Sequence, residues 1–391
     1  MSAQPGYTPP QYQPPPPPPP RPPRPNFFDN VHKFWTRVTD GLELQQLWSQ
    51  FVTEARSGYR LYSKEVEARK DLPRTPRPSW VHTIGDFFWA ILMKLSPAKR
   101  VVLLVGVFLL VLGKQNFPAD NGSELTIETS VIGGVLILLI LIMETADRVI
   151  MKRDLEIARE IQHWLVPSEA PKVPGLDIAF VTRPANTVAG DYYDVIPRGT
   201  TGKQLLVIAD VAGKSMPAAL LMATFQASLK TLSATSPDLV DLVCGLNRYA
   251  SDHSIRGSRF TTAFLAEFDP ATRSLNYVNA GHNPPMRLRG FEVESLKTGG
   301  VPLGILKDAG YEAGQTVLQQ GDVLAIYTDG VVEAENVGGM EFGEDRMLAA
   351  IRAVPAGSAK QIVEQLMAQI ELFVGTAPQH DDITCMIVRV T

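Results

Sequence analysis

Only two cysteines and six histidines occur among the 391 residues, and none of them falls in a spacing that binds a soft metal. Cys244 and Cys385 lie far apart inside apolar stretches, which argues against a disulfide framework and a Cys/His zinc cluster and fits a reducing compartment. Long Lys/Arg runs are also missing and the formal net charge is only −4. No field of the kind that recruits nucleic acid is expected, and no nucleic-acid partner. The first residues are polar and proline-rich rather than basic and then apolar, which is not the pattern of a secretory signal.

What is present changes along the chain. Residues 1–26 carry unbroken proline from 14 to 20. They read as a solvated, disordered tail favouring polyproline II, with a ligand for an SH3- or WW-like groove as the alternative. Residues 27–95 form a helical N-terminal region in which Leu42, Leu44, Leu47, Trp48 and Phe51 recur at helical spacing. Pro73, Pro76 and Pro78 interrupt it, and the aromatic stretch around Phe87, Phe88 and Trp89 suits either a membrane-interface helix or a buried one.

Residues 101–113 and 130–143 contain no charge. A full membrane crossing needs about 20 residues, and shorter runs are often core helices. Neutral neighbours and snorkelling of Lys99, Arg100 and Arg148 bring both runs near that length. Lys94, Lys99 and Arg100 precede the first run, Arg148, Lys152 and Arg153 follow the second, and Lys114, Asp120, Glu124 and Glu128 leave the connection acid-leaning. By the positive-inside rule, residues 96–146 read as a two-helix transmembrane hairpin with both ends in the cytoplasm. Two buried soluble helices are the alternative. Residues 147–168 continue as a charged linker helix ended by Pro167. Its stripe of Ile150, Ile157, Ile161 and Trp164 suits a parallel coiled coil joining a homodimer, or a surface helix packed on the next domain.

From residue 169 onward short β-rich runs alternate with helical patterns. Residues 205–209, 261–268, 275–279, 323–327 and 383–390 read as strands, and 217–232, 238–251 and 359–373 as helices. This is an α+β layered domain with mostly antiparallel sheets. Acidic residues recur at the ends of its strands, beside glycine: Asp191 and Asp194 after Gly190, Asp210 before Val211, Asp329 before Gly330, and the pair Asp381 and Asp382. One such Asp is ordinarily a turn or cap residue. Four on separate strand ends converge, and converged carboxylates repel one another unless cations neutralise them. Oxygen ligands without His or Cys select Mg²⁺ or Mn²⁺.

Seven markers in order carry a resemblance. They are Pro184-Ala185 before Gly190-Asp191-Tyr192-Tyr193-Asp194, Asp210-Val211-Ala212-Gly213-Lys214 leading into Pro217-Ala218-Ala219, and Asn279-Ala280-Gly281-His282-Asn283-Pro284-Pro285. Then come Pro302-Leu303-Gly304, Tyr327-Thr328-Asp329-Gly330-Val331 with Glu333-Ala334, Phe342-Gly343, and Asp381-Asp382-Ile383-Thr384. From about Asp154 to Thr391 the chain resembles the SpoIIE/RsbU branch of the metal-dependent (type 2C, PPM) serine/threonine protein phosphatases. The resemblance implies a β-sandwich of two antiparallel sheets flanked by helices, with two divalent cations, Mn²⁺ or Mg²⁺, at one edge. Asp210 would bridge them and the Val211 carbonyl would supply another oxygen. Asp329 and Asp381 would complete one shell, Asp191 would contact the site, and Asp194 and Asp382 would be additional or supporting groups. The paired ions would activate water against phosphoserine or phosphothreonine, with a STAS-type anti-anti-sigma protein in a partner-switching pathway as the substrate.

Two departures bear on this. Ser215 stands where many relatives have glycine, which is tolerable only in an ordinary backbone region. Ala212 and Gly213 offer no general acid where the eukaryotic enzymes have histidine, and His282 reads as a structural turn residue. Arg183, Asn186 and Lys214 are candidate phosphate contacts. Met216, Met222 and Phe225 read as core. A catalytically inactive membrane-tethered signalling module on the same fold is the competing reading. It would ordinarily have lost one of the aspartates. A nucleotide cyclase would need a Gly-Gly-Asp-Glu-Phe-like hairpin, which Gly190-Asp191-Tyr192-Tyr193 is not.

Overall fold

The computed structural model describes residues 92–118, 124–199, 202–253 and 259–391, so the expectations for the proline-rich tail and nearly all of the helical N-terminal region lie outside the described residues. The chain divides into two compact units, residues 1–140 and 141–391.

In the first unit, helix α1 (Pro97–Leu112) starts at Ser96, whose side chain accepts the Lys99 N–H, with proline at its first turn. Strands β1 (Lys114–Pro118) and β2 (Glu124–Glu128) form an antiparallel hairpin, and helix α2 (Thr129–Leu165) follows at once. The acid-leaning connection between the two apolar runs thus includes a pair of β-strands. Within this unit α1 and α2 approach closely: a Cβ at Gly133 would lie 2.4 Å from the Gly106 carbonyl oxygen. Such backbone contact through small residues packs helices where no hydrophobic effect drives them together. Around it, Val101, Phe108, Val111, Val131, Val135 and Leu138 are exposed. By length and composition, α2 can cross a membrane. The 16 residues of α1 reach only about 24 Å, short of a hydrocarbon core of about 30 Å, so among the described residues one helix, not the expected two, is long and apolar enough to cross. Nor is the linker a separate element: α2 runs unbroken through 37 residues.

The second unit is a four-layer α/β/β/α sandwich. One sheet contains β4 (Tyr192–Arg198), β5 (Lys203–Val211), β6 (Thr261–Asp269), β7 (Ser274–Ala280), β10 (Gly299–Gly300) and β11 (Gly314–Val317). The other, in the order β3-β13-β12-β8-β9, contains β3 (Leu176–Arg183), β8 (Met286–Arg289), β9 (Glu292–Ser295), β12 (Val323–Tyr327) and β13 (Ile383–Val390). All pairings between these strands are antiparallel except the short β10–β7 contact, in line with the expected mostly antiparallel sheets. Helices α3 (Met216–Thr235) and α4 (Leu239–His253) cover the first sheet. Helices α6 (Gly343–Arg352) and α7 (Ala359–Val374) cover the second, and the four-residue α5 (Asp329–Val332) follows β12.

The period-2 alternation of strands sorts side chains between the layers. Tyr193, Val195, Leu206, Ile208, Phe264 and Phe268 face Leu324, Ile326, Met386 and Val388 across the sheet–sheet core. Tyr192, Leu205, Val207, Ala209 and Val211 face the opposite way, against Met222, Phe225 and Leu229 of α3, so the core reading of Met222 and Phe225 holds, whereas Met216, in the first turn of α3, is only half-buried and outside this cluster. Tyr327, Ile383, Cys385 and Ile387 pack under α6 and α7. Cys385 is fully buried as a small apolar group.

Candidate active site

The same alternation fixes what happens at one end of the sandwich. Continuing β5 from Leu206 and Ile208 brings Asp210 to the inner face, and running β4 back from Tyr193 brings Asp191 there. Thr328 extends the inward set of β12, and Asp382 and Thr384 extend that of β13. The apolar filling therefore gives way to a polar layer at this edge.

Asp191 is buried and its Oδ2 accepts the Thr328 hydroxyl at 3.0 Å, while Thr328 Oγ1 also accepts the Thr384 N–H at 3.1 Å. Burial, and then the nearby charge of Asp210, push the Asp191 carboxyl well above the usual range. Burial first, and then the charges of Asp329, Asp381 and Asp382, raise Asp210 to about 7. Asp329 is raised by burial and by Asp381. Five carboxylates brought in by four separated segments thus lie within electrostatic reach of one another. The Val211 carbonyl belongs to the same place: a Cβ added at Gly190 would lie 3.1 Å from that oxygen and 3.8 Å from Asp210 Oδ1.

Asp382 is raised mainly by burial, although both its oxygens accept backbone N–H groups, Oδ1 from Ala185 and Oδ2 from Gly190, each at 2.7 Å. It clamps the 184–191 segment and has its oxygens largely committed. Gly330 is obligatory beside it, since a Cβ there would come within 2.1 Å of the Asp382 carbonyl oxygen. Lys214 forms an ion pair with Asp381 Oδ2 at 3.3 Å and donates to the His380 carbonyl.

Asp194 goes elsewhere. On the opposite face of β4 it accepts the Tyr192 hydroxyl at 2.7 Å and pairs with Lys230 of α3 at 3.3 Å, so it is not gathered with the others. His282 is buried behind the site with Nδ1 3.0 Å from the Thr262 hydroxyl, and burial pushes its pKa down to about 4. It is neutral at pH 7, in keeping with its structural reading. Arg183 and Lys214 line a cavity of about 550 Å³ that opens beside Asp381 and also includes Glu333, Glu371 and His380. Asn186 is exposed and does not line it.

Does this donor set suit divalent cations? Among the described residues no three His, Cys, Asp or Glu side chains stand in finished coordinating geometry. The donors are nevertheless all hard oxygens, and burial together with their mutual repulsion raises Asp210 to about 7. Mg²⁺ or Mn²⁺ would relieve that repulsion, and the residues fit such ions.

A layered sandwich with acidic residues at one edge defines a PP2C-type phosphatase domain, and comparison with known proteins agrees. Residues 200–391 match the family model described as Stage II sporulation protein E (SpoIIE). Phosphoserine phosphatase RsbU of Bacillus subtilis is 28% identical over 241 residues, covering 61% of this chain and 70% of RsbU. Protein IcfG of Synechocystis is 26% identical over 263 residues, covering 60% of this chain but only 41% of IcfG. The SiaA-PP2C domain of Pseudomonas aeruginosa superposes with a TM-score of 0.57 at 22% identity, over 63% of this chain and 99% of that domain. The RsbU and RsbW domains of Rv1364c from Mycobacterium tuberculosis give a TM-score of 0.50 at 24% identity, over 58% and 63%. The C-terminal domain belongs to the SpoIIE/RsbU branch of the PPM protein serine/threonine phosphatases.

Sequence reasoning did not single out Thr328 and Thr384 as supports of Asp191, although both stand inside quoted motifs. It also passed over Gln162, a polar residue beside the apolar stripe of α2.

Proposed function

We propose that the protein is a membrane-tethered phosphatase that removes phosphate from phosphoserine or phosphothreonine of a partner protein. Asp210, the Val211 carbonyl, Asp329, Asp381 and Asp191 would hold two Mn²⁺ or Mg²⁺ ions, with Asp382 as their support. Bound in a pair, such ions polarise the phosphoryl group and lower the pKa of water. Asp210 keeps its place through its position on β5, Asp191 through Thr328, and the Asp191 loop through Asp382. The observation that carries this reading is the convergence of these carboxylates at one edge, with Asp210 pushed up to about 7.

By analogy with RsbU, and with a solved structure that joins RsbU and RsbW domains, the substrate is a STAS-domain anti-anti-sigma factor. The exposed apolar faces of α1 and α2 support a membrane location with the catalytic domain in the cytoplasm, and exposed Ile150, Ile157, Ile161 and Trp164 support a homodimer through α2. The test is hydrolysis of a phosphoserine peptide by the detergent-solubilised full chain with Mn²⁺, against Asp329→Asn. The variant should lose roughly 100-fold or more, at or beyond the upper end of what loss of a mere supporting residue costs. Equal rates would sink the reading.

A further inference from the structure

The last turns of α2 carry a side chain that the metal reading leaves without a task. Gln162, half-buried, donates from Nε2 to the Ala189 carbonyl at 2.7 Å and accepts the Ala189 N–H on Oε1 at 2.9 Å. One side chain thereby satisfies both backbone groups of a buried residue, as a neighbouring strand would. Only Gly190 separates Ala189 from Asp191. Residues 184–191 have no helix or strand of their own, so their position depends on what grips them. Asp382 grips Ala185 and Gly190 from just before β13, and Gln162 grips Ala189 from α2. The helix end is itself anchored, with Gln226 donating to the Leu165 carbonyl at 3.4 Å and Val166 packed against both the sheet–sheet core and the core under α3.

We propose that Gln162 is a positioning residue of the phosphatase site: by latching Ala189 it holds Gly190 and the Asp191 carboxylate against Asp210 and the Val211 carbonyl. The inference rests on the metal-dependent reading above. The latch needs a donor and an acceptor side by side at the end of one reach, which an amide supplies. Glutamate at this position keeps the acceptor and the shape but turns a second oxygen toward the Ala189 carbonyl. Methionine keeps the bulk and offers neither group. Released from the latch, the segment keeps its Asp382 contacts and the Thr328 contact to Asp191 but loses the grip on Ala189.

The test uses the full chain in detergent. Mn²⁺ uptake is measured by calorimetry, phosphopeptide hydrolysis across a Mn²⁺ series, and melting with chelator present, for the unaltered chain, Gln162→Met and Gln162→Glu. Loss of a residue that orients ligands costs about 10- to 100-fold in metal affinity. Gln162→Met should weaken Mn²⁺ uptake by that factor while the rate at saturating Mn²⁺ stays close to that of the unaltered chain. Gln162→Glu, the closer isostere, should weaken uptake as well, and it answers the question should the methionine variant fail to fold. An unchanged Mn²⁺ isotherm overturns the assignment, even where melting falls, because that pattern marks a purely structural contact. If the unaltered chain takes up no divalent ion and cleaves nothing, the catalytic reading fails and this one with it. If it does both and the variants match it, only the role of Gln162 is lost.

Discussion

Replacing Ser215 by glycine should stabilise the C-terminal domain. Ser215 stands at φ 63°, ψ −150°, at the start of α3 and directly after Lys214. That corner of backbone space is essentially reserved for glycine, and a residue with a Cβ there costs about 1–3 kcal/mol. The hydroxyl gives nothing back locally, since no side-chain cap bond is made to α3. Glycine removes the strain but loses about 0.4–1 kcal/mol through greater freedom of the unfolded chain. The net gain is about 0–2.6 kcal/mol, centred on about 1.3, and for a domain of this size that central value raises the melting temperature by roughly 3–5 °C. Ser215→Ala is the control, because it keeps the Cβ and so the strain, and it should melt within about 1 °C of the natural chain. Melting followed by intrinsic fluorescence of the full chain in detergent, with chelator present, reads both. A glycine variant that melts lower, or an alanine variant that melts as high as glycine, refutes the strain argument.

Other outcomes follow from the same geometry. Asp210 has a pKa of about 7 when folded against about 3.9 unfolded, so the folded state holds its proton more tightly. Without divalent ions, the stability that Asp210 contributes is therefore full below about pH 4 and is lost as pH rises through about 7. Melting curves from pH 5 to 8 with chelator should fall with pH, and saturating Mn²⁺ should abolish that slope; a flat chelator series refutes the clustering of charge. Gly330→Ala places a Cβ within 2.1 Å of a main-chain oxygen, so it should cost about 3 kcal/mol or more in urea unfolding and abolish hydrolysis. A variant of natural stability would show that the Asp382 backbone yields freely.

The parts of the fold legible in the sequence are those with long, unbroken patterns. The expected strands at 205–209, 261–268, 275–279, 323–327 and 383–390 all lie within β5, β6, β7, β12 and β13, and the three expected helices lie within or one residue beside α3, α4 and α7. What escaped notice was short or locally ambiguous. Strands β8 to β11 have two to four residues each, too few to show a period. The unbroken α2 was masked by its change from an apolar to a charged surface at residue 144, which alters the solvent of the helix but not its backbone. Five of the six aspartates converge because strand ends of stacked sheets share an edge, a consequence of topology that the order of motifs already implied.

Asp194 shows where that reasoning needed one more step. It lies three residues from Asp191, an odd separation, and in a strand an odd separation reverses the face. The neighbours settle which face is which: Tyr193 and Val195 belong to the sheet–sheet core, and Tyr192 to the core under α3. Counting from Asp191, every second residue therefore points inward, so Asp191 falls with the set facing the sheet–sheet interior and Asp194 with Tyr192 and Lys230. The same parity places Asp210 with Leu206 and Ile208, and Asp382 with Thr384 and Met386. An acidic residue next to a glycine is thus a weak sign of a ligand until its phase in the strand is known. Once the phase is fixed by the apolar residues around it, the strand period alone separates the aspartate that joins the cluster from the one that secures a helix.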